Sequence, residues 1–107
     1  MVIAESDWKI FRKLRERALE RFCQRILEEC RELAAGEVGT SHERYLALYR
    51  HVNERNRDVA RMFDAPRRSV ATLQILGMQA EGLFDPDEVN SFSQELQDLL
   101  RRHLEDD

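Results

Sequence analysis

The fold follows first from residues 6–35, SDWKIFRKLRERALERFCQRILEECRELAA, which contain neither Gly nor Pro. Its apolar residues recur at steps of three and four, the spacing of one α-helical face. They are Trp8, Phe11, Leu14, Ala18, Leu19, Phe22, Cys23, Ile26, Cys30 and Leu33. Ser6 is a typical N-cap and Gly36 a typical end signal, so we predict one helix over about residues 7–35.

Such a helix is roughly 43 Å long at 1.5 Å per residue, whereas a compact chain of 107 residues has a radius of gyration of about 13 Å. Its apolar face therefore extends beyond what one chain covers, and we expect a homodimer. The expected interface combines residues of that face with an arginine that lies inside it. These residues are Trp8, Phe11, Arg15, Phe22, Ile26 and Leu33.

A second helix is predicted over about residues 41–64, because Thr40 and Glu43 have the spacing of a capping box. Its apolar residues share one face of the helix. They are Tyr45, Leu48, Tyr49, Val52, Val59, Met62 and Phe63. Pro66 then favours either a break, with Asp64 capping a third helix over about residues 66–81 that turns Leu73 inward, or a single kinked helix over residues 41–81.

The turn before the last helix is specified by several residues. Gly82 fits the left-handed position that ends a helix, and Asp85 with Pro86 and Glu88 starts the next one, over about residues 86–104. Residues 105–107 are acidic and are expected to fray. The prediction is a single all-α domain over residues 1–107, a long-helix hairpin or four-helix bundle completed by dimerisation.

Composition indicates a cytoplasmic protein. The chain has 17 basic and 21 acidic residues, a formal net charge of -4. It has no apolar run of about 18 residues for a membrane span, and residues 1–10 lack the apolar core of a signal peptide. The two cysteines, Cys23 and Cys30, lie about 10 Å apart along one predicted helix, too far for a disulfide, and are expected to be reduced.

The arginines are the residues that could contact an anion or a partner. Residues 81–107 hold nine acidic and two basic residues, whereas residues 1–80 hold fifteen basic and twelve acidic ones. The candidate contacts to an anion or a partner are Arg17, Arg21, Arg57 and Arg61. Interleaved acids such as Glu20, Glu54 and Asp58 weaken the field of these arginines, so nucleic-acid binding is not expected, and a nucleic-acid-associated regulator is the alternative.

Five carboxylates suggest an enzymatic alternative. Glu28, Glu29 and Glu32 lie in the string EECRE on the first helix, and Glu54 and Asp58 follow on the second. This acidic pair of helices resembles that of the all-α nucleoside triphosphate pyrophosphohydrolases, and the resemblance implies a magnesium-dependent enzyme. The chain departs from that family in spacing Glu54 and Asp58 four residues apart, where the family has Glu-x-x-Asp.

No nucleophile elbow, Gly-rich phosphate loop or Glu-x-x-His motif occurs in the sequence. We therefore predict no catalytic, cofactor-binding or metal-binding residue. The leading hypothesis is a cytoplasmic, self-associating module for protein–protein interaction or regulation, with a further protein partner that the sequence does not identify and with no membrane contact.

Overall fold

The computed structural model describes residues 2–105, and this part of the chain is helical without any strand. Its five helices are α1 (Glu5–Ala35), α2 (Ser41–Phe63), α3 (Arg68–Ala80), α4 (Pro86–Asn90) and α5 (Gln94–Glu105). The all-α prediction is confirmed, but the single last helix over 86–104 is wrong, because residues 91–93 separate α4 from α5. Of the tail expected to fray, Glu105 ends α5 and residues 106–107 lie outside the described residues.

The start of α1 differs from the prediction. The helix begins at Glu5, its N-cap is Ala4, and no side chain caps it. Ser6 therefore lies inside the first turn. At the other end Gly36 has extended angles (φ -61°, ψ 152°), and the left-handed residue of the connecting loop is Gly39 (φ 84°). The loop thus ends α1 by extending the chain and then reversing it three residues later.

α1 and α2 form an antiparallel hairpin, as three contacts between them show. Arg44, at the start of α2, donates a hydrogen bond to the carbonyl of Ala34 at 3.3 Å. Farther along α2, Arg55 pairs with Glu29 at 2.7 Å. At the end of α2, the carbonyl of Phe63 accepts a hydrogen bond from Arg15. The contacts move back along α1 as α2 advances, which defines the antiparallel order.

The capping box that starts α2 is confirmed. The Thr40 hydroxyl accepts from the backbone N–H of Glu43 at 3.1 Å, and the Glu43 carboxylate accepts from the backbone N–H of Thr40 at 3.4 Å.

Pro66 breaks the helical run, so the alternative of one kinked helix is wrong. Ala65 lies outside the right-handed helical region, as the following proline predicts, but it is left-handed (φ 46°) instead of extended. Asp64 does not cap α3, whose N-cap is Arg67 without a side-chain hydrogen bond. Instead, the carbonyl of Asp64 accepts from the Gln74 amide at 2.9 Å, which fastens the loop to α3.

The predicted turn after α3 is confirmed. Gly82 is left-handed (φ 69°), its N–H donates to the Gln79 carbonyl at 2.9 Å, and the N–H of Leu83 donates to the Met78 carbonyl at 3.0 Å. This is the Schellman pattern that ends helices. Leu83 and Met78 are both buried, so the turn contributes to the core as well as to the chain reversal.

The hydrophobic core occupies one end of the hairpin. The buried residues of α1 fall between Asp7 and Phe22, and those of α2 are Met62 and Phe63. The rest of the core comes from residue 3, α3 and residues 83–100. No residue between 23 and 61 is buried. This segment, here called the distal hairpin, projects from the core, in agreement with a longest dimension of 51 Å against 27 and 22 Å.

Candidate interaction surfaces

Four residues of the predicted dimer interface already have partners within one chain. Phe11 and Phe22 are fully buried, and Phe22 packs on Phe63 with ring centroids 6.3 Å apart. Trp8 is buried and lies 5.8 Å from Phe11 between ring centroids. Arg15 donates to a carbonyl at the end of α2. These side chains need no second chain, because α2 to α5 cover the first half of α1.

The other two predicted interface residues, Ile26 and Leu33, belong to the distal hairpin. Both are partly buried. They lie seven residues apart, and Glu29 between them faces α2, so all three fall on the side of α1 that meets α2. Only α1 and α2 meet at this contact, here called the seam. Each helix covers the other there, and the two edges of the seam are not covered by a third helix.

The seam contributed by α2 is polar. Arg44, His51, Arg55 and Asp58 recur at helical spacing on the side that faces α1. The His51 ring nitrogen lies 2.9 Å from the Glu29 carboxylate, which also accepts two hydrogen bonds from Arg55. These bonds, with that from Arg55 first, lower the pKa of Glu29 to about 2. The same contact raises the pKa of Arg55.

Because the side of α2 that faces α1 is polar, three apolar side chains of α2 point away from α1. Tyr45 is 62% exposed, Tyr49 59% and Val52 45%, so these three side chains point towards solvent. They lie at steps of four and three and form one stripe. The physical reason is that Arg44 and Arg55 take the positions facing α1, where they reach the end of α1 and the carboxylate of Glu29.

The stripe is part of a face of α2 without any Asp, Glu, Lys or Arg, here called the uncharged face. At about 100° per residue it covers somewhat more than a third of the helix circumference. Its members are Ser41, His42, Tyr45, Leu46, Leu48, Tyr49, Val52, Asn53, Asn56, Val59, Ala60 and Phe63. At its end Phe63 is buried and Val59 packs against the core. All eight acidic or basic residues of α2 lie on the remaining circumference. They are Glu43, Arg44, Arg50, Glu54, Arg55, Arg57, Asp58 and Arg61.

Leu27 of α1, 69% exposed, lies on the same side of the hairpin. Arg25 pairs with Glu81 at 3.3 Å and so marks the side of α1 that faces the end of α3. Leu27 is two residues farther on, about 200° around the helix. On α2, Arg61 lines a crevice against α3, and Val52 lies nine residues earlier, about half a turn away. Leu27 and Val52 therefore both point away from α3.

The structure separates the four predicted anion-binding arginines. Arg21 pairs with Glu88 at 2.5 Å and with Asp85 at 3.2 Å, and Arg17 reaches Glu88 at 3.4 Å. The hydrogen bond from Arg21 is the main cause of the lowered pKa of Glu88, and it raises the pKa of Arg21. These arginines of α1 therefore hold α4 in place and do not form one surface with the arginines of α2.

Arg57 and Arg61 are exposed on α2. Arg61 pairs with Asp58 at 3.1 Å, whereas Arg57 makes no ion pair with any residue between 2 and 105. The second half of the predicted arginine set is therefore on the surface and is only partly neutralised.

The carboxylates behind the enzymatic alternative do not converge. Glu28 pairs with Arg31 at 2.7 Å, and Arg55 occupies both Glu29 and Asp58. Within residues 2–105, no group of three His, Cys, Asp or Glu side chains is close enough to hold a metal ion.

The comparisons with known proteins give no assignment: no family model, curated protein or solved structure matches the chain. In the part of the chain that the structure describes, no helix has both the length and the apolar composition needed to cross a bilayer.

Proposed function

We propose that this protein is a small cytoplasmic module that associates with itself through the distal hairpin and serves protein–protein interaction or regulation. The interface consists of the uncharged face of α2 together with Leu27 of α1. The observation that carries the proposal is the exposure of Tyr45, Tyr49 and Val52 in one stripe without a charged neighbour on that face. Exposed apolar patches of this kind mark interaction surfaces on small proteins.

A second copy of the same chain is the occupant that the charge distribution favours. In a two-fold interface each patch meets itself, so a charge close to the axis would face its own copy. The uncharged face meets itself without that cost. Asn53 and Asn56 supply side chains that both donate and accept hydrogen bonds and so suit a symmetric pair.

The available area reaches the minimum for a specific dimer. Before the buried Phe63, the uncharged face runs from Ser41 to Ala60, about 28 Å along the helix, and the adjacent strip of α1 doubles its width to roughly 20 Å. Two such faces bury on the order of 1,000 Å² in total, the lower limit for a specific protein–protein interface. Antiparallel packing of two hairpins produces a four-helix arrangement in which each hairpin covers the open flank of the other.

Sedimentation equilibrium over about 1–100 µM tests the proposal. We expect a concentration-dependent mass that approaches twice that of the chain at tens of micromolar. A mass equal to one chain throughout this range would contradict self-association.

A further inference from the structure

Two cysteines of α1 lie on the side of the distal hairpin that carries the uncharged face. At about 100° per residue, Cys23 is about 40° and Cys30 about 60° from Leu27, both in the direction of Ile26. Ile26 faces α2 and Leu27 is exposed, so the two thiols lie between the seam and Leu27. Both cysteines are free and partly buried. They therefore belong to the strip of α1 that adjoins the uncharged face.

The two cysteines cannot form a disulfide with each other within one chain. Both lie on α1, which is unbroken from Glu5 to Ala35. They are about 10 Å apart along the helix axis, whereas the Cα atoms of a disulfide lie within about 7 Å of each other. The chain has no other cysteine. A disulfide between protein thiols therefore requires a second copy of the chain.

Antiparallel packing of two hairpins supplies that second copy. The inference rests on the proposed function, in which the uncharged faces of two copies meet about a two-fold axis. An axis that lies between the hairpins and perpendicular to their helices sets α1 of one copy against α1 of the other, in the opposite direction. When this axis is level with the midpoint between the thiols, Cys23 of each copy lies opposite Cys30 of the other.

The contacts across the seam place Asn56 level with that midpoint. Glu29 contacts both His51 and Arg55, so it is level with the residue midway between them. The midpoint between the thiols lies two to three residues before Glu29, which on the antiparallel α2 corresponds to Arg55 and Asn56. Asn56 is exposed on the uncharged face, and its amide can both donate to and accept from its own copy. One axis therefore suits the asparagine and both pairs of thiols.

The distance between packed helices also suits a disulfide. Helix axes in contact lie about 8–10 Å apart, and each Cα lies about 2.3 Å from its own axis. Two residues that point at each other across such a contact have Cα atoms about 3.5–5.5 Å apart. This range overlaps the roughly 4.4–6.8 Å found in disulfides. Cys23 and Cys30 can therefore be bridged without a movement of the backbone.

We propose that oxidation by a peroxide joins two copies covalently, through a disulfide between Cys23 of one copy and Cys30 of the other. The peroxide first oxidises one thiol to a sulfenic acid and releases one water. The thiol of the other copy then attacks that sulfur, the S–S bond forms and a second water leaves. For each bridge two thiols lose two protons and two electrons, and one hydrogen peroxide becomes two waters. An excess of a small thiol reverses the bridge.

Gel electrophoresis under denaturing, non-reducing conditions tests the bridge on the full chain after treatment with hydrogen peroxide. The wild type should run at twice the chain mass, and dithiothreitol should return it to one chain mass. Mass spectrometry of a proteolytic digest should recover a peptide with Cys23 linked to Cys30. In sedimentation at about 1 µM, the oxidised protein should keep twice the chain mass, whereas the reduced protein should be largely dissociated.

Two serine variants form a matched set. Cys23→Ser and Cys30→Ser should each stay at one chain mass on the denaturing gel, because a homodimer of either variant lacks one thiol of every bridge. An equal mixture of the two variants should recover a single bridge in up to half of the chains, since only the mixed dimer contains both thiols. Sedimentation in dithiothreitol should show both variants associating like the wild type.

Sedimentation of the wild type in dithiothreitol separates the failure of the bridge from the failure of self-association. A reduced dimer that peroxide does not cross-link, or that it cross-links as Cys23 to Cys23 or as Cys30 to Cys30, would overturn the bridge alone. A reduced protein of one chain mass at tens of micromolar would overturn both proposals. Equal cross-linking of Tyr49→Asp and the wild type would also overturn the bridge, since it would show random collision of thiols.

Discussion

The carboxylate of Asp7 accepts two hydrogen bonds from Ser93, one from the backbone N–H at 2.7 Å and one from the hydroxyl at 2.6 Å. Asp7 is only 2% exposed. The contact joins the first turn of α1 to the residue that precedes α5, and the Ser93 hydroxyl also accepts from the N–H of Leu96 at 3.3 Å. One carboxylate thus fixes the point at which the chain returns to α1.

Replacing Asp7 with Ala is expected to lower the free energy of unfolding by about 2–3 kcal/mol, because hydrogen bonds to a buried charged group are lost together. Ser6→Ala is the matched control, since Ser6 is exposed and does not cap α1. It should change the free energy by less than about 0.5 kcal/mol in urea unfolding. A larger effect of Ser6→Ala than of Asp7→Ala would restore Ser6 as the cap.

The contact between Asp7 and Ser93 is a feature that the local sequence does not predict. Boundaries set by neighbouring residues were predicted correctly, as at the Thr40 capping box and at Gly82. The break between α4 and α5 depends on a partner 86 residues away, and no local signal reveals that partner. Periodicity predicts that a helix has an apolar face, but it does not determine which element covers that face.

The orientation of α2 is the clearest case of this limit. Its apolar residues do form a stripe. The side of α2 that faces α1 is determined by Arg44 and Arg55, whose partners Ala34 and Glu29 lie on the other helix. Likewise, the periodicity of α1 predicts a dimer interface that includes Phe22, because the sequence of α1 does not show that Phe63 of α2 packs on it. Periodicity also turns Leu73 inward, whereas this side chain is 71% exposed in the structure.

Burial of Phe22 within one chain has a measurable consequence. Phe22→Ala should lower the free energy of unfolding by about 3–5 kcal/mol through the cavity it leaves. The folded fraction should still reach the same oligomer mass as the wild type. Val38→Ala is the control, because Val38 is 91% exposed in the loop after α1, and it should be nearly neutral. A fully stable Phe22→Ala protein that had become monomeric would place Phe22 in the interface.

The stability of the distal hairpin depends on pH through Glu29. Its pKa is about 2 in the folded chain, against about 4.3 for an unperturbed glutamate. Because the folded pKa is the lower one, the stabilisation is present above about pH 5 and is lost as the pH falls towards 2.

Glu29→Gln should therefore reduce the free energy of unfolding near pH 7 by about 1–2 kcal/mol and flatten the decline between pH 5 and pH 2. Glu32→Gln provides the control, since Glu32 is exposed on the same helix and makes no ion pair within residues 2–105. Urea unfolding at several pH values measures both. An unchanged acid slope in Glu29→Gln would show that the contact with Arg55 contributes no stability.

Two charge insertions on opposite sides of α2 test most directly whether its uncharged face joins two copies of the chain. Tyr49→Asp places a carboxylate in the apolar stripe, whereas Arg57→Asp places one on the exposed arginine side. Light scattering at tens of micromolar should give one chain mass for Tyr49→Asp and twice that mass for Arg57→Asp and the wild type. Equal masses for the two variants, or dissociation by Arg57→Asp alone, would contradict the claim.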